Sequence, residues 1–259
     1  MLDKCAKIGG GSHANVLLWP TQLSGLKRDC AVKVCRLMRS TGPDESALIE
    51  LMALSSLHRK GDAPIVPHVK QVIVDFESNR LLIVMKLYHK SLLDFFRSLE
   101  TPMFDIVSIA QTLTYIVSHA HSMGIIHLDL KPANILVSKQ NVLVVADWGL
   151  SRIVDDHGEQ TTFGHKFVTV SHRPPELMLG WGRVGTYTDM WSLGCIVVEL
   201  LAGDTVQSDW SEWNALVRIT RTLGRPSESF VKELGDDLPY LRGDPSDSII
   251  LPEIPPVKA

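Results

Sequence analysis

The chain has 259 residues, a formal net charge of −3 and 45% hydrophobic residues, enough for one large domain or two tightly joined lobes around a real core. That charge, with a pI near 6.4, gives no global attraction to nucleic acid or to an anionic membrane surface. Four cysteines (Cys5, Cys30, Cys35, Cys195) without metal or disulfide spacing read as reduced thiols, and with no signal peptide and no apolar run of spanning length the expected location is intracellular.

The first motif is Ile8-Gly9-Gly10-Gly11-Ser12-His13-Ala14-Asn15-Val16. Glycines between apolar residues suit a β-turn-β flap whose backbone N–H groups can approach phosphate closely. Ala31-Val32-Lys33-Val34 follows, a strand with one lysine in apolar surroundings. Residues 44–58 read as a helix entered through Pro43 and Asp44, with Ala47, Leu51, Leu54 and Leu57 on one face. Glu50 falls on that face, where a carboxylate needs a partner, and Lys33 is the obvious one. Glu45 points away and answers the helix dipole instead. Residues 69–76 and 81–87 read as strands and 91–99 as a short helix. A long helix follows, carrying Ile106, Ile109, Leu113, Ile116, Ala120 and Met123 at three- and four-residue spacing.

Residues 127–149 hold five polar residues in apolar surroundings: His127, Asp129, Lys131, Asn134 and Asp147. Ile135-Leu136-Val137 and Val142-Leu143-Val144-Val145, separated by Ser-Lys-Gln-Asn, predict a hairpin of buried strands that brings Asn134 near Asp147. Two converging oxygen ligands suit Mg²⁺, which keeps phosphate and water in its shell. Asp129 is left as a base, and Lys131 can hold a phosphoryl group. Further on, Thr186-Tyr-Thr-Asp189 is a capping-box pattern opening a helix that is apolar almost all round, expected to be a buried axle.

The strings His-Leu-Asp-Leu-Lys-Pro-Ala-Asn and Asp-Trp-Gly, behind a Gly-rich flap and a strand lysine, resemble the signature set of eukaryotic protein kinases. Lys131 after the aspartate, Trp191-Ser-Leu-Gly-Cys-Ile196 and residues 214–226 resemble the serine/threonine kinases of the cyclin-dependent and MAP-kinase-like group. The resemblance covers about residues 5–226. It implies an α+β fold of two lobes: a small antiparallel β lobe with one helix (1–87) and a larger, mainly helical lobe (88–235). Residues 236–259 read as an irregular tail, leaving the second lobe shortened.

The resemblance further implies transfer of the γ-phosphoryl of Mg·ATP to serine or threonine of a protein substrate. Asp129 and Lys131 match the catalytic positions, and Asn134 and Asp147 the Mg²⁺ ligands. Lys33 and Glu50 match the pair that clamps ATP, beside the flap from Ile8 to Val16 and Ala31. Met85, Lys86 and Tyr88 fall at the hinge that meets adenine. Thr169 matches the threonine that brackets the catalytic aspartate with Lys131, Glu176 belongs to the string Pro174-Pro175-Glu176, and Arg173 permits a preference for proline after the acceptor. Asp189 matches the residue that holds the catalytic loop from below.

Several positions depart from the family pattern. Ala14 replaces the third glycine, which implies a looser flap, and Lys86 replaces a common acidic residue. Leu128 replaces the arginine that grips an activation-segment phosphate, and Gly164 falls at the usual phosphoacceptor position, with Thr161 and Thr162 remaining as hydroxyls nearby. Acceptor and receptor are missing together, so activity independent of activation-loop phosphorylation is expected. Residues 43–50 do not reproduce the cyclin-docking helix, so no cyclin-like partner is expected and the regulatory partner is unknown. The rival reading is a pseudokinase that binds nucleotide or regulates partners, favoured by Ala14, Leu128 and the shortened lobe. A small-molecule phosphotransferase is a third. No Gly-x-x-x-x-Gly-Lys-Ser/Thr string is present, which excludes a P-loop triphosphatase.

Overall fold

The computed structural model describes residues 5–10, 14–21, 29–39, 42–58, 64–97, 105–154, 159–161, 168–203 and 211–224. The chain divides into two compact units: residues 1–127 with 132–152, and residues 128–131 with 153–259. The long helix and the hairpin fall in the first unit with the sheet.

In the first unit, β1 (Lys7–Gly10), β2 (Ala14–Trp19) and β3 (Cys30–Arg36) lead through a short pair, β4 (Met38–Arg39) and β5 (Gly42–Pro43), into α1 (Glu45–Leu57). β6 (Val69–Asp75) and β7 (Arg80–Lys86) complete an antiparallel sheet of order β1-β2-β3-β7-β6. β-Branched and aliphatic residues fill β3 and β7, as a half-buried pleated surface requires. Cys35, Leu81 and Ile83 on one face of the sheet pack with Ala47 of α1, and Leu51 closes the contact. The expected helical face is thus the one that packs. Asp44 is the N-cap: its Oδ1 accepts from Ser46 N at 3.2 Å and from Ser46 Oγ at 2.9 Å.

After β8 (Lys90–Ser91) come α2 (Leu92–Arg97) and α3 (Ile106–Ser122). Ile109, Leu113, Ile116 and Ala120 of α3 are buried as their spacing predicts, but Met123 lies past the helix end as its C-cap and is exposed. β9 (Ile125–Ile126) precedes the hairpin of β10 (Ile135–Val137) and β11 (Leu143–Val145), in register Ile135 to Val145. Ser138 Oγ accepts from Gln140 N and Val142 N, so its hydroxyl builds the turn and keeps Val142 out of the strand.

In the second unit, β12 (Glu159–Thr161) pairs with β13 (Arg183–Gly185), and the helices are α4 (Pro175–Met178), α5 (Thr186–Ala202) and α6 (Glu212–Leu223). Met178 and Leu179 pack with Ala215 and Leu216 of α6. The capping box falls one residue away from its expected place. Gly185 is the N-cap, with no side chain to donate or accept, and only the returning half is made, from Gly185 N to Thr188 Oγ1 at 3.2 Å. Nor is α5 an all-buried axle: Met190, Val198 and Leu201 are 48%, 60% and 69% exposed.

Candidate active site

In the first unit the sheet register assembles one group of the expected residues. Val16 of β2 lies beside Lys33 of β3, and Ala31 lies between Leu18 and Met85. From β3 the Lys33 ammonium donates to Glu50 Oε2 and to Asp147 Oδ1, each at 2.6 Å. Glu50 is buried on α1, while the Asp147 side chain is half exposed. Burial pulls the Lys33 pKa down, but the two carboxylates outweigh it and hold the amine above its ordinary 10.5. Burial lifts the Glu50 carboxyl above its ordinary 4.5, Lys33 opposes the rise, and Asp147 adds to it. Two carboxylates thus share one ammonium.

The hairpin explains how Asp147 comes to stand there. Ala146 N donates to Asn134 O at 2.8 Å, just beyond the last β10–β11 pair, so Asn134 and Asp147 leave the hairpin at the same end. Asp147 takes the left-handed conformation, with φ 65, which aspartate tolerates better than most residues. Trp148 behind it is buried and donates its indole N–H to Val145 O at 2.8 Å, while His127 packs edge-on against its ring and approaches Ala146 O. That indole anchor carried no sequence signal, since the bond to the backbone three residues back exists only once the turn has formed. No group of three His, Cys, Asp or Glu residues among the described residues could cage a metal ion. One carboxylate and one carboxamide oxygen instead fit a hard divalent cation that completes its shell with water and phosphate.

On the flap, Gly9 faces Val16 and Gly10 faces Asn15. Gly10 has φ 136, and a Cβ there would come within 2.7 Å of Ala14 O, so no side chain fits. Ile8 is exposed on β1, and Ala14 is half buried on β2. Gly11, Ser12 and His13 lie outside the described residues. At the end of β7, Lys86 N donates to His68 O at 2.9 Å, so that N–H is committed within the chain rather than offered to a ligand. Lys86 Nζ sits 5.3 Å from the centre of the Tyr88 ring, and burial pushes the Tyr88 hydroxyl pKa up.

In the second unit Asp129 is the centre of a second group. Its Oδ2 accepts from Lys131 Nζ at 2.7 Å, and its Oδ1 accepts from Thr169 Oγ1 at 2.6 Å and Thr169 N at 3.3 Å. Lys131 Nζ also donates to Thr169 Oγ1 at 2.9 Å, closing a triangle. Leu128 N donates to buried Asp189 Oδ1 at 2.9 Å, which holds Leu128 at φ 65.

Arg173 is buried and donates from Nε at 3.0 Å and from Nη2 at 2.6 Å to Val168 O, while its Nη1 pairs with Glu212 at the start of α6. Val168 has φ 69, a conformation rare for a β-branched residue, and nothing in the sequence marks it. Next to Arg173, His172 is buried against Glu199, with Nε2 3.2 Å from Oε2. Burial raises the Glu176 pKa, and its side chain has no basic partner among the described residues. Gly164 and Thr162 lie outside the described residues, and of Thr161 only its place in β12 is described.

Comparison with known proteins gives one consistent result. Residues 2–236 match the family model of the protein kinase domain. A probable serine/threonine-protein kinase of Arabidopsis thaliana is 30% identical over 89% of this chain and 40% of its own length. The serine/threonine-protein kinase crk1 of Schizosaccharomyces pombe is 42% identical over 45% of this chain and 34% of its own. The chain therefore spans less than half the length of these curated relatives. Among solved structures, a CAK complex from Chaetomium thermophilum bound to ATP-gamma-S matches with TM-score 0.74 and 25% identity, over 90% of this chain and 72% of that one. The yeast RNA Pol II CTD kinase CTDK-1 complex matches with TM-score 0.73 and 23% identity, over 90% and 73%, a likeness of fold alone.

Proposed function

The chain belongs to the protein kinase family, with its α+β fold and with serine/threonine kinases among its relatives, and from that premise we propose that it transfers the γ-phosphoryl group of ATP to serine or threonine hydroxyls of a protein. The observation that carries the reading is the Lys33 ammonium held 2.6 Å from both Glu50 and Asp147. A lysine fixed this way presents a localised positive charge to nucleotide phosphates without a search over rotamers. The flap residues Ile8 to Val16, with Ala31, Met85, Lys86 and Tyr88, line the nucleotide in this reading. Asn134 and Asp147 would hold Mg²⁺, which would neutralise phosphate charge when bound.

Asp129 accepts the substrate hydroxyl proton and orients the oxygen for attack. Hydrogen bonds from Lys131 and Thr169 fix the direction of its carboxylate. Lys131 also stabilises the transferring phosphoryl group. The bond formed joins the hydroxyl oxygen to phosphorus, the bond broken frees ADP, and the proton goes to Asp129.

The Val168 carbonyl supports a preference for proline after the acceptor. Two guanidinium N–H groups of Arg173 occupy that carbonyl, so it is not open to a substrate backbone N–H. A residue without an N–H leaves nothing unsatisfied there, and proline is that residue. Leu128, in place of a phosphate-gripping arginine, supports independence from activation-loop phosphorylation.

Radiolabel transfer from Mg·ATP to paired peptides tests all of this. Ser-Pro and Thr-Pro peptides should be phosphorylated about tenfold or more faster than their Ser-Ala and Thr-Ala counterparts, the order expected for one buried donor left unpaired. Phosphatase-treated protein should keep its rate. A required phosphate on Thr161 or Thr162 would refute loop independence, and equal rates on both peptide sets would refute the proline rule. Nucleotide binding without transfer to any peptide would favour the regulatory module.

A further inference from the structure

We propose that Asn79, in the turn between β6 and β7, is the positioning residue that sets α1 and through it the Lys33–Glu50 pair, an inference that rests on the transferase reading above. Asn79 has φ 52, a left-handed turn conformation that asparagine adopts at little cost. Its side-chain amide grips one residue of β4 from both sides. Met38 N donates to Asn79 Oδ1 at 2.8 Å, and Asn79 Nδ2 donates to Met38 O at 2.9 Å. Its backbone carbonyl also accepts from Leu37 N at 3.0 Å.

The connection continues without a gap into the helix. Leu37 O accepts from Asp44 N at 3.1 Å, and Asp44, only 3% exposed, caps α1 through Ser46 N and Ser46 Oγ. From the far side, a Cβ on Gly149, two residues past Asp147, would come within 3.3 Å of Ser46 O, so the first turn of α1 already stands close to that backbone. The apolar contact of Ala47 and Leu51 with the sheet is non-directional and permits sliding. The Asn79 bonds supply the missing direction.

The lever is long enough to matter. Glu50 lies six residues beyond the cap, about 9 Å along the helix axis. A tilt of about 10° at the capped end then displaces Glu50 by roughly 1.5 Å. That takes a 2.6 Å ion pair out of hydrogen-bond range.

Two variants separate positioning from mere folding. Asn79→Gly keeps the left-handed turn and removes both side-chain bonds, while Asn79→Asp keeps the acceptor for Met38 N. We expect Asn79→Gly to speed hydrogen exchange of the α1 amides and to raise KM for ATP about tenfold, the order for two neutral hydrogen bonds. Its effect on kcat should be smaller, and Asn79→Asp should recover part of the loss. In a double-mutant cycle, adding Asn79→Gly to Glu50→Gln should cost nothing further, because both act through one contact. Unchanged α1 exchange in Asn79→Gly, or losses that multiply with those of Glu50→Gln, overturns the proposal. Should the wild-type chain transfer no phosphate, the transferase reading fails, while the exchange measurement still decides whether Asn79 holds α1.

Discussion

At the scale of single residues, Glu50 and Lys33 make opposite demands on pH. Burial raises the Glu50 pKa above 4.5, so this carboxyl takes up a proton at a pH where an ordinary glutamate stays charged. Protonation removes one half of the ion pair, and kcat/KM for ATP should fall on the acid side with an apparent pKa above 4.5. Lys33 gives no matching alkaline loss below its ordinary 10.5, because its pKa is raised. Stability runs the other way. A carboxyl that binds its proton more tightly folded than unfolded contributes most below its unfolded pKa and loses that contribution as pH rises through the folded value. A pH–rate profile of Glu50→Gln should lack the acid limb, and a limb that persists assigns it to another group. The Lys33–Glu50 contact was legible because a carboxylate on an apolar helical face has few partners. The left-handed Val168 was not, since valine argues against that conformation and only the Arg173 contacts account for it.

Among the elements, α1 and the hairpin were legible nearly to the residue, because each carries one period and one apolar face. In α5 the apolar pattern does not tell the buried face from the exposed one. Its sequence is almost uniformly apolar, yet Asp189, Ser192 and Glu199 are buried while Met190, Val198 and Leu201 are exposed. Specific partners draw the polar groups inward: Asp189 accepts Leu128 N, Ser192 donates to His172 O, and Glu199 faces His172. Periodicity cannot see bonds to residues distant in sequence. Val198→Gln and Leu201→Gln should therefore change unfolding free energy by no more than about 0.5 kcal/mol in urea. Asp189→Ala should cost about 1–3 kcal/mol, since it leaves Leu128 N unsatisfied in a buried site. A Leu201→Gln penalty larger than that of Asp189→Ala would mean that the outward face of α5 is covered in solution.

At the scale of the whole molecule, the residues assigned to nucleotide and those assigned to the substrate hydroxyl fall in different compact units. Lys33, Glu50, Asn134 and Asp147 belong to the first, and Asp129, Lys131, Thr169 and Arg173 to the second. In sequence Asp129 and Asn134 are only five residues apart, and their strings read as one motif. If the assignments hold, variants should sort by unit in a thermal-shift measurement with Mg·ATP. A ligand present at 100 times its Kd stabilises a fold by about 2.7 kcal/mol, which for a protein of this size raises Tm by roughly 5–10 °C. Lys33→Met and Asp147→Asn should lose that rise along with transfer. Asp129→Asn should abolish transfer yet keep the rise nearly intact, because its carboxylate acts on the hydroxyl and not on the nucleotide. An Asp129→Asn protein that transfers at the wild-type rate removes Asp129 from the mechanism. One that no longer responds to nucleotide moves Asp129 from the hydroxyl to the nucleotide.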